Sequence, residues 1–260
     1  MLVGNDIVDL HDPESRPEAL HDRFDTRVFT SDEREALTTS ASAHTLRWTL
    51  WAAKESAYKV AKKLDPAVRF LPRDFVVRRL AEGRAVVVHE TGPFDVRLRR
   101  TEEWVSAVAT RMAANAASGM AANAASGMAA NAAEAHRSVS TGIERLEVNG
   151  ADPSQTVREL VCAALALRMN VPPGQVQIAA DRGIPVALWR NRRLPVDLSL
   201  SHHGRFVAWA CLLLKALPQG IQAGGFSNDR EPVTLFEHGS PPRDHHLRPT
   251  ANQGDQGALR

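Results

Sequence analysis

Acidic and basic side chains stand inside two otherwise apolar segments, and such placement is what phosphate and metal chemistry requires. Glu55 lies in the run Trp48-Thr49-Leu50-Trp51-Ala52-Ala53-Lys54-Glu55-Ser56-Ala57-Tyr58-Lys59. Trp48, Trp51, Glu55 and Tyr58 recur at spacings of three and four, so a helix puts all four on one face. A carboxylate on an aromatic face needs a cation, because burying it alone costs several kcal/mol or neutralises it. Lys54 and Lys59 are both candidates, and Glu55 followed by Lys59 is the favoured i,i+4 order. Taken alone, the segment also suits an ordinary salt-bridged core helix. The second segment, Leu2 to Leu10, reads as a short apolar strand with Asp6 and Asp9 in it. Side chains alternate along a strand, so Asp6 points with Val8 and away from Ile7 and Asp9. A hard cation such as Mg2+ takes one or two carboxylates and leaves its other positions to water and phosphate oxygens. Asp6 with Glu55 would make such a site.

With both segments in view, the chain resembles the 4'-phosphopantetheinyl transferases. That family carries a Gly-x-Asp strand, a Phe-x-x-x-Glu stretch and a Trp-Ala-x-Lys-Glu-Ser-x-x-Lys helix. Here these stand, in the same order, as Gly4-Asn5-Asp6, Phe29 to Glu33, and Trp51 to Lys59. A fourth match follows in Gly183-Ile184-Pro185 and Ser199-Leu200-Ser201-His202, which resemble the family's coenzyme A segments. Each motif has few demanding positions, and their joint order carries the signal. In the larger Sfp-type members the coenzyme A segments come first. The present order is that of the short holo-acyl-carrier-protein-synthase type, stretched over two units, so the chain reads as a permuted pseudo-dimer.

The resemblance implies an α+β fold of two similar α/β subdomains with the active site between them. It implies transfer of 4'-phosphopantetheine from coenzyme A to a serine of an apo acyl or peptidyl carrier protein, in fatty acid, polyketide or nonribosomal peptide synthesis. Asp6 and Glu55 would hold Mg2+. Glu55, Lys54 and Lys59 would be catalytic: Glu55, or a water on the metal, as base, Lys59 on phosphate charge, Lys54 at the leaving 3',5'-ADP. Ser201, His202, Arg158 and Lys59 would contact coenzyme A, with Gly183 and Pro185 shaping its pocket. The chain departs from the family at two points. Val8 stands where Sfp-type members have a further acid, which leaves Asp9, Glu33 or water as the third metal ligand. Ile184 replaces the lysine of Gly-Lys-Pro, so a phosphate contact is missing or comes from Arg182 or Arg158. The contrasting expectation is a catalytically silent module that binds coenzyme A or a carrier protein.

The elements that must position these groups form an internal echo. Phe75 to Arg79, Ala85 to Val88 and Asp95 to Arg99 read as short strands that close with Trp104 to Ala109. Val176 to Ile178, Pro185 to Trp189 and Asp197 to Leu200 do the same, closing with Phe206 to Cys211. A helix over Gln155–Met169, with Val157, Leu160, Val161, Ala164, Leu165 and Leu167 inward and Ser154 as N-cap, precedes the second set. The expected organisation is a first subdomain over 1–111, an Ala-rich linker over 112–137, a second subdomain over 138–217, and a disordered tail over 218–260. The linker repeats Met-Ala-Ala-Asn-Ala-Ala-Ser-Gly, a period that fits neither helix nor heptad. The tail is rich in Gly, Pro, Asn, Asp and His.

Composition agrees with a compact enzyme. Of 260 residues, roughly 180 to 190 remain for a packed body once linker and tail are set aside. A formal charge of +2, without basic and aromatic residues interleaved, gives no nucleic-acid platform. No apolar run approaches the ~20 residues of a membrane span, and no signal peptide is visible at the first residues. The two cysteines, Cys162 and Cys211, sit in apolar contexts that suit free buried thiols in a reducing cytoplasm. A monomer is expected, because two fused units form internally an interface that the short type makes between subunits.

Overall fold

The computed structural model describes residues 1–81, 83–112, 139–146, 152–215 and 217. The expected linker beyond Met112 and the expected tail lie outside these residues. Among the described residues, no helix is long and apolar enough to cross a membrane.

The first unit opens with strand β1 (Val3–Asp9), in which every residue is buried. Helices α1 (Phe24–Val28), α2 (Ser31–Thr39) and α3 (Ala43–Leu64) follow. Strands β2 (Val76–Ala81), β3 (Arg84–His89), β4 (Gly92–Arg100) and β5 (Trp104–Arg111) complete an antiparallel sheet in the order β1-β5-β4-β3-β2. α3 lies across this sheet. Its Trp48, Trp51, Ala53, Ala57 and Val60 form one core with Phe75, Phe94, Val96 and Val105. Gly4 permits the close approach of β1 to α3, since a Cβ there would stand 2.1 Å from the carbonyl oxygen of Ser56.

The second unit runs through β6 (Val139–Arg145), α4 (Pro153–Met169), β7 (Val176–Asp181), β8 (Ile184–Trp189), β9 (Arg192–Arg193), β10 (Val196–His203) and β11 (Phe206–Leu213). These form two small sheets, ordered β10-β11-β6 and β7-β8-β9. α4 buries Val161, Leu165, Ala166 and Met169 against Val176, Ala187, Val196 and Leu198. The helix starts two residues earlier than its periodicity predicts, and its N-cap is Asp152 rather than Ser154. The Asp152 carboxylate accepts the Ser154 N–H, and Pro153 takes the first position, where a missing N–H does no harm. Leu167, expected inward, is exposed. The left-handed Asn170 ends the helix before the prolines do.

Both units share one pairing scheme. In β1 on β5, Val3 faces Thr110, Asp6 faces Ala107 and Asp9 faces Trp104. In β6 on β11, Val139 faces Leu212, Gly142 faces Trp209 and Arg145 faces Phe206. Arg97 and Arg99 face Val108 and Ser106 across β4 and β5, as Ser199 and Ser201 face Ala210 and Ala208 across β10 and β11. Apolar clusters join the units: Val3 and Val108 meet Ala210 and Leu212, and Ile7 meets Phe206 and Ala208.

Candidate active site

β1 pairs with β5 along one edge and, among the described residues, has no strand on the other. Its outward N–H and C=O groups, being buried, need other partners. Side chains of β10 meet the N–H groups. Asp197 Oδ2 accepts from Val3 at 2.6 Å, Ser199 Oγ from Asn5 at 2.8 Å, and His203 Nδ1 from Asp9 at 3.2 Å. Lysines of α3 meet the carbonyls: Lys63 Nζ donates to Val3 O at 2.7 Å and Lys59 Nζ to Asn5 O at 2.8 Å. The polar face of Asp197-Leu198-Ser199-Leu200-Ser201 thus replaces a neighbouring strand.

Lys59 reaches the carbonyl of Asn5 from beside Asp6 and Glu55. Its Nζ lies 3.2 Å from Asp6 Oδ1 and 3.3 Å from Glu55 Oε1. The alternation read from β1 holds: Asp6 faces α3, whereas Asn5, Ile7 and Asp9 face the second unit. Asp6 Oδ2 is buried and has no hydrogen-bond partner among the described residues. Burial, followed by the charge of Glu55, pushes the Asp6 carboxyl up to about 8. Burial alone would lower Lys59, but Asp6 and Glu55 hold it above its ordinary value. Two carboxylates share one ammonium here, and one carboxylate oxygen is left without a partner. This donor set fits a hard divalent cation that also carries water or phosphate oxygens.

Other expected site residues stand elsewhere. Lys54 is fully buried, and its Nζ is taken up by Glu33 Oε2 at 2.8 Å, Phe75 O at 2.8 Å and Pro72 O at 3.0 Å. Burial lowers its pKa against the pull of Glu33. It has no free donor direction toward a leaving group, so it positions the helix. Glu33 closes a capping box with Thr30 at the start of α2 and accepts the Val77 N–H at 2.9 Å. Phe29, beneath Lys54 Nζ at 5.7 Å, completes this support. Asp9 points away from Asp6 and pairs with Arg205 at 2.7 and 2.8 Å. Burial would raise its carboxyl, but Arg205 and backbone N–H groups hold it at about 2. Asp9 and Glu33 are thus taken up by Arg205 and Lys54 and do not stand with Asp6 and Glu55. Among the described residues no group of three or more His, Cys, Asp or Glu gathers.

The expected coenzyme A residues divide. Ser201 is buried and accepts from Asn5 Nδ2 at 2.8 Å, which makes it an interface residue. His202 points the other way, its Nε2 3.5 Å from Ser154 Oγ, and Arg158 donates to the Ser154 carbonyl. His202 and Arg158 thus converge on the first turn of α4. Gly183 stands in open space at the β7–β8 turn with φ of +80°, beside Arg182 at +50°, and Pro185 follows on β8. No described hydrogen bond or ion pair ties this turn to the Asp6 cluster.

Residues 2–109 match the family model of the 4'-phosphopantetheinyl transferase superfamily. This stretch is a 4'-phosphopantetheinyl transferase superfamily domain. The match runs from β1 into β5, so it takes in Asp6, Glu55 and Lys59 and none of the second unit. No curated protein matches the chain. The transferase motifs acquire distinct physical meanings on this frame. Gly-x-Asp lets β1 approach α3, and Phe-x-x-x-Glu is the buried counter-charge of Lys54. Sequence reasoning missed Asn5, Lys63, Asp197, His203 and Arg205, which bind the units together. The polar alternation of Asp197, Ser199 and Ser201 was the available signal for the β10 members of this set, since a strand with polar groups at every second position meets either water or unpaired backbone.

Proposed function

We propose that the protein transfers the 4'-phosphopantetheine group of coenzyme A to a serine of an apo acyl or peptidyl carrier protein and releases 3',5'-ADP. The observation that carries this is the buried Asp6 carboxylate, unpartnered at Oδ2 and set against Glu55 and Lys59 at the edge of β1. The two units act as a pseudo-dimer, in which the first supplies reactive groups and the second grips the nucleotide. Asp6 and Glu55 would hold Mg2+, which when bound neutralises pyrophosphate charge. Lys59, already between the carboxylates, turns its ammonium to the phosphate. Glu55 accepts the proton of the carrier serine as the serine oxygen bonds to phosphorus. The bond from that phosphorus to the bridging oxygen of 3',5'-ADP breaks, and the nucleotide leaves with the electron pair. His202 and Arg158 hold coenzyme A phosphates beside α4, with Gly183 and Pro185 as the nucleotide wall. Lys54 supports α3 beneath Glu55.

Intact-mass spectrometry tests this directly, using apo acyl carrier protein, coenzyme A and Mg2+, with and without EDTA. A gain of one phosphopantetheine arm that EDTA abolishes supports the transfer. Glu55→Gln should remove the gain while leaving the circular dichroism spectrum unchanged; retained activity in that variant defeats the mechanism. The silent binding module draws on one observation, that Lys59 already bridges both carboxylates. No gain with any of several carrier proteins, together with measurable coenzyme A binding, selects it.

A further inference from the structure

The interface between the units is closed at one half and open at the other. At the closed half, β10 fills the free edge of β1 with acceptors. At the open half, the matching positions on β4 are Arg97 and Arg99 in place of Ser199 and Ser201, and they line one cavity with Thr141 and Ile143 of β6. Leu146 donates its N–H to Arg205 O toward β11, just as Leu10 donates to Glu103 O toward β5. The parity of β6 is thereby fixed, and Thr141 and Ile143 direct their N–H groups to the edge that carries no strand among the described residues, as Asn5 and Ile7 do in β1. Guanidinium groups have no acceptor to offer these N–H groups. Donors consequently face donors, and a cavity of about 260 Å³ separates them.

The cavity lining is rich in donors. Arg97 and Arg99 are exposed, and neither forms an ion pair among the described residues, though Arg99 lies over the Trp104 ring at 5.6 Å. Ser106 and Thr141 add hydroxyls, and Val108 gives an apolar wall. Asn5, buried beneath the cavity wall, donates its amide to Ser201 and leaves its Oδ1 unpartnered. A tetrahedral anion with one protonated oxygen satisfies both kinds of group.

We infer that the open half of the interface is a binding site for a small phosphate-bearing anion, held between the Arg97 and Arg99 guanidiniums and the free edge of β6. The forked donors of arginine suit phosphate oxygens in pairs. The volume lies just below that of ordinary small-molecule pockets, which suits a phosphate or a short phosphomonoester and excludes a whole dinucleotide. The site is separate from the Asp6 cluster, which lies on the other face of β1, and it stands whether or not the transfer reaction does.

Isothermal titration calorimetry of the full chain tests this with two probes, inorganic phosphate and glycerol 3-phosphate, in chloride buffer. Saturable binding is expected at about 1 mM or tighter, weakened at least about tenfold in R97S/R99S. A stronger response to inorganic phosphate identifies the free ion as ligand; a stronger response to glycerol 3-phosphate identifies the ester. The serines restore the residue type found at the matching positions of β10, and unchanged circular dichroism confirms the fold. The single variant R97E serves as a second check, since reversal of charge should abolish binding. No saturable binding of either probe, or equal binding by wild type and R97S/R99S, overturns the inference.

Discussion

Asp9 with Arg205 and Arg145 with Glu103 are the same ion pair built twice with opposite polarity. Asp9 and Arg145 end β1 and β6 at matching register, and Glu103 and Arg205 occupy matching positions before β5 and β11. Their surroundings differ. Asp9 is completely buried and receives Arg205 bidentately at 2.7 and 2.8 Å, whereas Arg145 and Glu103 meet at 2.9 Å with about half of each side chain in water. Gly204, at φ of +52°, lets the β10–β11 turn come down on Asp9, where a Cβ would stand 2.6 Å from Oδ2. One half of the interface is thus locked around β1, and the other remains open around β6. The two halves share one pairing scheme but carry acceptors on β10 where β4 carries donors, and the Asp6, Glu55 and Lys59 cluster lies on the locked half.

The largest way to break this contrast is Asp9→Ala. The variant removes the buried acceptor of the Arg205 guanidinium and of the His11 and Arg205 N–H groups, leaving Arg205 only Glu103 at 3.5 Å, and should cost about 3 kcal/mol, read by urea unfolding. A loss similar to that of the open-half pair would show that the two halves are energetically alike. Gly4→Ala comes next, because its Cβ would press on the Ser56 backbone oxygen and part β1 from α3. A loss of about 2 to 3 kcal/mol is expected, while Ser140→Ala at the matching position of β6 should be nearly silent in the same assay.

Asp6 and its counterpart Gly142 sharpen the comparison further. The Asp6 carboxyl is raised from 3.8 to about 8 by burial and by Glu55, so the native chain binds a proton there that the unfolded chain has released. Stability should therefore fall as pH rises from about 4 through 8. Asp6→Asn should flatten that fall and gain on the order of 1 to 2 kcal/mol at alkaline pH. Thermal unfolding across pH checks this, and an unchanged slope would remove Asp6 as the group responsible. The smallest effect belongs to the open half: Arg145→Ala, which breaks the exposed pair and leaves Glu103 its contact with Arg205, should cost under about 1 kcal/mol and less still in high salt.

Much of the fold was legible because its signals are local. The Trp48, Trp51, Glu55, Tyr58 spacing specifies the inner face of α3, and alternation in β1 correctly separates Asp6 from Asp9. Helix ends were less legible: Asp152 caps α4 by an Asx-type bond that apolar periodicity does not report. Leu167 shows the same limit, since an apolar residue fits a helical stripe on paper even where the packed helix leaves it in water. The roles of Lys54 and Glu33 were not legible at all. They are far apart in sequence, and a lysine beside a glutamate on one helix points about 100° away from it, into whatever the tertiary structure supplies.

The sequence by itself determined which groups could do chemistry: two carboxylates and a lysine whose helix and strand periods bring them to the seam between β1 and α3. It also determined the repeated strand pattern, because alternation and turn residues act within a few positions of one another. Tertiary structure decided how the repeats meet. The free edge of β1 has buried N–H groups that require acceptors, and those come from β10, nearly two hundred residues away in the chain. No local pattern reports such a debt of hydrogen bonds, since it arises only when two edges approach and water is excluded.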